Sequence, residues 1–143
     1  MRTGRTKDDS RPVAAAYRDW LDQYRWHHFC TLTFKQPCTA AFVRRAFLWF
    51  AKGLERLTGS VPYWFWAMEC GASPSLPHLH ALLGNTSNLA VDRIAAAWRL
   101  GLCRVTRYDP RRRAAAYLTK AIMQAASDYD LSEQEFAPKS DAD

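Results

Sequence analysis

The sequence predicts an α+β domain in which helices pack on one antiparallel sheet, and two observations indicate this class. Short segments rich in β-branched and aromatic residues alternate with longer segments of helical periodicity, in the order helix, β-α-β-β-α-β, helix. In addition, 48% of the 143 residues are hydrophobic, which is enough for the core of one ordinary domain. Two crossovers around one central hairpin are typical of a ferredoxin-like or RRM-like sheet.

The first two helices are predicted from their end residues. Pro12 opens the first, in which apolar residues recur every three or four positions as far as Tyr24. Thr39 is a suitable N-cap for the second, and Gly59 ends it. The apolar face between these two ends predicts that the second helix covers the sheet.

The strands are short runs of β-forming residues bounded by turn residues. They are predicted at residues 28–34, 62–69, 78–83 and 102–108. A third helix is predicted from Leu89 or Ala90 to Leu100, where Gly101 stops it. Pro110 opens a last helix that we expect to reach about Ala126.

The charge of the chain is unevenly distributed. The net charge is +6, but residues 126–143 contain six acids and one base, a net charge of −5, which leaves +11 for the first 125 residues. We expect a mobile basic arm at residues 1–11, a folded domain at 12–126 and a disordered acidic tail at 127–143. A small domain with a charge of +11 indicates a polyanionic partner, most often a nucleic acid. A basic enzyme without such a partner is the alternative.

Several classes of protein are excluded by composition. No apolar run approaches the roughly 20 residues of a membrane span, and the polar N-terminus is unlike a secretory signal, so we expect no membrane association. The four cysteines form no CxxC pair and lie in apolar surroundings. This pattern predicts reduced thiols in a cytoplasmic protein.

Two histidines stand two residues apart in the third predicted strand. Side chains alternate across a strand, so His78 and His80 share a face, roughly 6 to 7 Å apart. If the second and third strands form a hairpin, Glu69 can lie across from them and complete a metal site with open positions for water or a phosphate oxygen. The alternative is two hydrogen-bonded histidines on a half-buried strand and a strand-end carboxylate in solvent.

The last predicted helix carries a polar stripe. At about 100° per residue, four polar side chains fall within about 60° of one another, namely Arg113, Tyr117, Lys120 and Gln124. A phenol with an ordinary pKa near 10 is a poor nucleophile at neutral pH, but a nearby cation or metal stabilises its anion. The alternative is an amphipathic edge residue, Tyr117, beside a solvated charge, Lys120.

Basic side chains cluster just before Tyr117 and predict a track for a phosphate backbone. They are Arg104, Arg107, Arg111, Arg112 and Arg113. Tyr108 lies among them and is the best candidate to stack on an unpaired base. Most of the other aromatic residues are predicted to be core, since a strand must bury one face.

Three segments then occur in a recognisable order: FCTLTF (29–34), PHLHALL (77–83) and AAYLTK (115–120). Together they resemble the HUH superfamily of single-strand endonucleases, and most of all its rolling-circle replication initiators from plasmids and phages. The resemblance covers residues 26–125. It implies that His78, His80 and Glu69 bind Mg²⁺ or Mn²⁺, that Tyr117 is the nucleophile, and that Lys120 is the lysine of a Tyr-x-x-Lys motif.

The resemblance also implies a reaction and its setting. The tyrosine attacks the scissile phosphate, leaving a 5′-phosphotyrosine and a free 3′-hydroxyl that primes replication, and a later transesterification rejoins the strand. The chain looks like the single-tyrosine type, because Tyr129 lies beyond the predicted helix. We expect a monomeric domain acting on a single-stranded origin hairpin or nick site, with host helicase and polymerase as partners, in the cytoplasm of a prokaryote that carries the plasmid or phage.

Other functions remain open at this point. A single-strand DNA transposase of the same superfamily is similar in fold, although such enzymes usually lack the Tyr-x-x-Lys spacing. A non-catalytic single-stranded nucleic-acid-binding module would need none of the candidate catalytic residues. A zinc hydrolase using Cys70 with His78 and His80 gives no role to Tyr117.

Overall fold

Five strands form one antiparallel sheet in the computed structural model, which describes residue 16 and residues 18–69, 76–112, 129–133 and 135–139. The elements in chain order are β1 (His28–Thr33), α1 (Ala40–Thr58), β2 (Tyr63–Glu69), β3 (His78–Gly84), α2 (Val91–Ala97), β4 (Cys103–Arg107), a 3-10 turn (Pro110–Arg112) and β5 (Tyr129–Leu131). The strand order is β4-β1-β3-β2-β5. The predicted α+β class with its β-α-β-β-α-β order is therefore confirmed, and β5 is an addition to it.

Helix α1 begins and ends at the residues that the sequence predicts. The Thr39 hydroxyl accepts a hydrogen bond of 3.2 Å from the Phe42 amide. Gly59 adopts the left-handed conformation (φ 75°), and its amide donates to the Glu55 carbonyl at 2.9 Å. None of the helices within the described ranges is long and apolar enough to cross a membrane.

The alternation of side chains along the strands creates two apolar clusters, one on each face of the sheet. The helix face packs against α1 and α2, and its strand residues include Cys30, Leu32, Trp64, Trp66, Leu79, Ala81 and Leu83. The opposite face holds a second cluster, formed by Leu21, Trp26, Tyr63, Phe65, Ala67, Leu82 and Phe136. The aromatic side chains of β2 are thus core, as predicted.

Helix α2 is shorter than predicted, because it ends at Ala97 instead of reaching Leu100. Trp98 is extended, its indole donates to the Thr33 carbonyl at 2.9 Å, and its ring packs on Phe34 with centroids 5.1 Å apart. These contacts replace the next helical hydrogen bonds and lead the chain towards β4.

The chain beyond residue 128 also differs from the prediction of a disordered tail. Residues 129–131 pair with β2, and Phe136 is only 7% exposed. Asp130 forms an ion pair of 3.3 Å with Arg44 of α1. Composition misses this order because two apolar anchors, Leu131 and Phe136, are diluted among acidic residues.

His28, at the start of β1, is a buried titratable side chain. Its Nδ1 lies 2.7 Å from the Thr86 hydroxyl, and burial, followed by the charge of Arg107, lowers its pKa from 6.5 to about 4. In the unfolded chain the ordinary pKa applies, so as the pH falls below about 6.5 only the unfolded state takes up a proton. We predict that His28 alone lowers the free energy of unfolding by about 2.5 kcal/mol between pH 7.5 and 4.5.

Urea unfolding of the wild type and of His28→Gln at the two pH values measures this contribution. The variant keeps every carboxylate but loses the imidazole, so its stability should fall less on acidification. Equal losses in the two proteins would show that His28 does not carry the effect.

Phe136 anchors the end of the described chain. Its ring centroid lies 5.1 Å from that of Trp26 and 5.5 Å from that of Tyr63. Phe136→Ala should therefore lower the free energy of unfolding by about 3 kcal/mol. Glu135→Ala, at an exposed neighbouring position, is the matched control and should change little. Equal stability of Phe136→Ala and the wild type would contradict the packing of this segment.

Candidate active site on the face opposite the helices

The register of the sheet places the candidate metal ligands on the face opposite α1 and α2. His78 pairs with Thr33 of β1 and Glu69 of β2, and His80 pairs with Thr31 and Ala67. Residues that pair directly across an antiparallel sheet share a face. Glu69 therefore lies across from the histidines, which is the hairpin placement that the sequence predicts.

The imidazole of His80 is held by three neighbours. Its Nε2 donates to the Glu69 carboxylate at 2.9 Å, and its Nδ1 lies 3.3 Å from the Thr31 hydroxyl. Its ring is parallel to that of Phe29, with centroids 6.3 Å apart. Because His80 is only 6% exposed, these contacts fix its orientation from both ring nitrogens and one ring face.

His78 is half-buried and stands two residues from His80 on the same face. In the part of the chain that the structure describes, no three His, Cys, Asp or Glu side chains come close enough together to hold a metal ion. The structure thus brings Glu69 and His80 into contact, whereas the three-ligand arrangement remains a prediction. The Nε2 atom that a metal would take is engaged by Glu69.

The predicted arginine track is divided in the structure. Arg104 pairs with Thr31 and so lies on the face of His80, whereas Arg107 pairs with His28 and lies on the helix face. The Arg111 guanidinium binds the Asp109 carboxylate, with Nε 3.2 Å from Oδ1. Of these three arginines, Arg104 alone stands beside the candidate site.

Tyr108 is half-buried at the edge of the second cluster. Burial, and next the Asp22 carboxylate, raise the pKa of its phenol to about 12. Its amide donates to the His27 carbonyl at 2.9 Å, which holds the chain after β4 against the start of β1. The structure gives Tyr108 a packing role, and base stacking stays a prediction.

The second half of the predicted site lies outside the described residues. This applies to the candidate nucleophile and to the other members of its polar stripe, namely Arg113, Tyr117, Lys120 and Gln124. It also applies to the side chain of Arg112, whose backbone closes the 3-10 turn.

Three residues on the site face carry no role in the sequence-based prediction. Thr31 and Phe29 contact His80, and their signal is the alternation in FCTLTF, where Phe29, Thr31 and Thr33 occupy one face. Tyr129 is the third, since β5 pairs it with Ala67 and stacks its ring on Phe65 at 6.0 Å. Its position in an acidic tail offers no signal for this placement.

Comparison with known proteins identifies the family. Residues 27–126 match the model of the replication-associated protein family of the ORF2 type. No curated protein and no solved structure gave a significant match to the chain. The matched range contains β1 to β4, both histidines of β3 and Tyr117. Because the match covers well over half of the sequence, the chain belongs to this family of replication-associated proteins.

Proposed function

We propose that this replication-associated protein nicks and rejoins single-stranded DNA, and so initiates rolling-circle replication of a plasmid or phage. The observation that carries the proposal is the contact between His80 and Glu69, beside a second histidine on the same face. A sheet that only binds DNA needs no imidazole–carboxylate pair next to His78. The family match supports a role in replication, and the pair supports chemistry within that role.

The donor set fits a divalent ion. Two imidazoles and one carboxylate, from His78, His80 and Glu69, would hold Mg²⁺ or Mn²⁺ and leave positions open. Such an ion, when bound, polarises the scissile phosphate and stabilises its developing charge. His80 would have to release the Glu69 hydrogen bond from Nε2 and carry its proton on Nδ1. The Thr31 hydroxyl suits that exchange, because it can accept from Nδ1 as readily as it donates to it.

The proposed reaction is a transesterification by Tyr117. Its phenolic oxygen loses a proton and forms a bond to the scissile phosphorus, while the bond from phosphorus to the 3′-oxygen breaks. The 3′-oxygen leaves with a proton as a free hydroxyl, and the 5′-phosphate stays on the tyrosine. Attack by a 3′-hydroxyl reverses these steps and rejoins the strand. Lys120 would stabilise the negative charge that develops on the phosphate.

A covalent adduct tests the proposal. The protein is incubated with Mn²⁺ and a pool of single-stranded oligonucleotides, and a denaturing gel resolves protein linked to DNA. We expect an adduct that needs the metal and is absent from Tyr117→Phe. Tyr129→Phe is the matched control, because Tyr129 is the tyrosine that β5 places on the site face, and it should keep the adduct.

Two results would contradict the proposal. Loss of the adduct in Tyr129→Phe but not in Tyr117→Phe would assign the nucleophile to β5 instead of the predicted helix. Tight binding without an adduct from any oligonucleotide would favour a non-catalytic binding module.

The two arginines of β4 provide a second test. Arg104 shares the face of His80, so Arg104→Ala should weaken single-strand binding roughly 5-fold and reduce the salt dependence by about 0.7 in log–log slope. Arg107→Ala removes the same charge from the opposite face and should change binding much less. Fluorescence anisotropy over a salt series measures both. Equal effects would show that net charge, and not the site face, determines affinity.

A further inference from the structure

A cavity of about 530 Å³ lies beyond the end of β1, between the start of α1 and the residues that follow α2. We name it the Lys35–Arg99 pocket, and its walls include Phe34, Phe42 and Leu100. It adjoins the end of the sheet where His78 lies, because the last residue of β1 pairs with His78. With strands about 5 Å apart and a rise of about 3.4 Å per residue, the pocket begins within about 10 Å of that histidine.

The two walls of the pocket are tied together. The Lys35 amide donates to the Leu100 carbonyl at 3.0 Å, and the Trp98 indole donates to the Thr33 carbonyl at 2.9 Å. Gly101 lies so close to the Thr33 carbonyl that a Cβ atom there would overlap it. The pocket is therefore formed before any ligand arrives, which lowers the cost of binding.

The lining of the pocket selects the chemistry of its ligand. The described residues around it include two exposed cations, Lys35 and Arg99, and no carboxylate. The rings of Phe34 and Phe42, 6.5 Å apart, form part of its apolar wall, and Gln36 adds a side-chain amide. A ligand that suits all three features has a flat apolar part, hydrogen-bonding edges and a negative charge. A nucleotide has these features, and the volume is in the usual range for such a ligand.

We propose that the Lys35–Arg99 pocket binds one unpaired nucleotide of the single strand, next to the phosphate held at His78 and His80. The base enters between the apolar walls, and the two cations bind its phosphate. The inference rests on the proposed function only in taking the strand to lie at the histidines. It adds a base-selecting contact on the side of the sheet opposite to the nicking chemistry.

Abasic substitution tests the pocket directly. One base at a time is removed along a bound oligonucleotide, and anisotropy measures the affinity of the Tyr117→Phe protein, which should not react covalently. We expect one abasic position, at a fixed distance from the nick, to weaken binding roughly 10-fold. In Arg99→Glu the intact oligonucleotide should bind more weakly and that position should lose its effect. Arg93→Glu, an exposed arginine of α2 outside the pocket, should keep the position-specific effect.

Cys38 offers a measurement that does not depend on affinity alone. Its thiol lines the pocket and is partly exposed, so maleimide labelling at alkaline pH, located by peptide mass, should be slowed by the intact oligonucleotide. The oligonucleotide that is abasic at the sensitive position should protect it much less. Absence of any sensitive position, or equal protection by both oligonucleotides, would overturn the pocket assignment.

The pocket and the nicking activity can fail separately. A normal adduct without a sensitive position removes the pocket and leaves the proposed function intact. A sensitive position with pocket protection, but no adduct with Mn²⁺, supports the pocket and removes the catalytic proposal.

Discussion

The pairing of β3 with β1 and β2 determines which face of the sheet each of its side chains occupies. Leu79, Ala81 and Leu83 point into the helix-side core and are fully buried, and this places His78 and His80 on the other face. A slip of one residue would drive the imidazoles into the apolar core and move the leucines out of it, at a cost of several kcal/mol. The end of the strand adds a steric lock, because the Tyr63 ring occupies the space that a Cβ atom on Gly84 would need. Every inference about the site depends on this register.

The positive charge of the domain serves two different purposes in this arrangement. Arg104 lies on the site face and Arg107 on the helix face, so the field of the domain is not confined to one surface. Such a field attracts a polyanion from many directions and raises the rate of encounter. Selection of the bound position must then come from short-range contacts, such as those of His80 and of the pocket near His78. The ion pair between Asp130 and Arg44 shows that part of the acidic charge acts within the fold.

Much of the fold follows from local sequence signals, and the remainder depends on long-range contacts. Thr39 and Gly59 delimit α1 correctly, and alternation within β3 predicts the shared face of its histidines. The end of α2 could not be predicted, because it is set by the bond from the Trp98 indole to Thr33, 65 positions away in the sequence. The same reason applies to β5, whose pairing with β2 outweighs its acidic composition. Within the site, Thr31 needed the strand register to be recognised as a partner of His80.

The placement of β5 has a mechanical consequence for the proposed nucleophile. Tyr117 lies between β4 and β5, and these are the two edge strands, four strand spacings or about 19 Å apart. The nucleophile is thus tethered from both sides of the sheet, which keeps its effective concentration at the histidines high. A DNA end joined to it would be held by the same double tether. The nicked 5′ end would then stay within reach of an incoming 3′-hydroxyl, so rejoining would compete well against loss of the strand to solution.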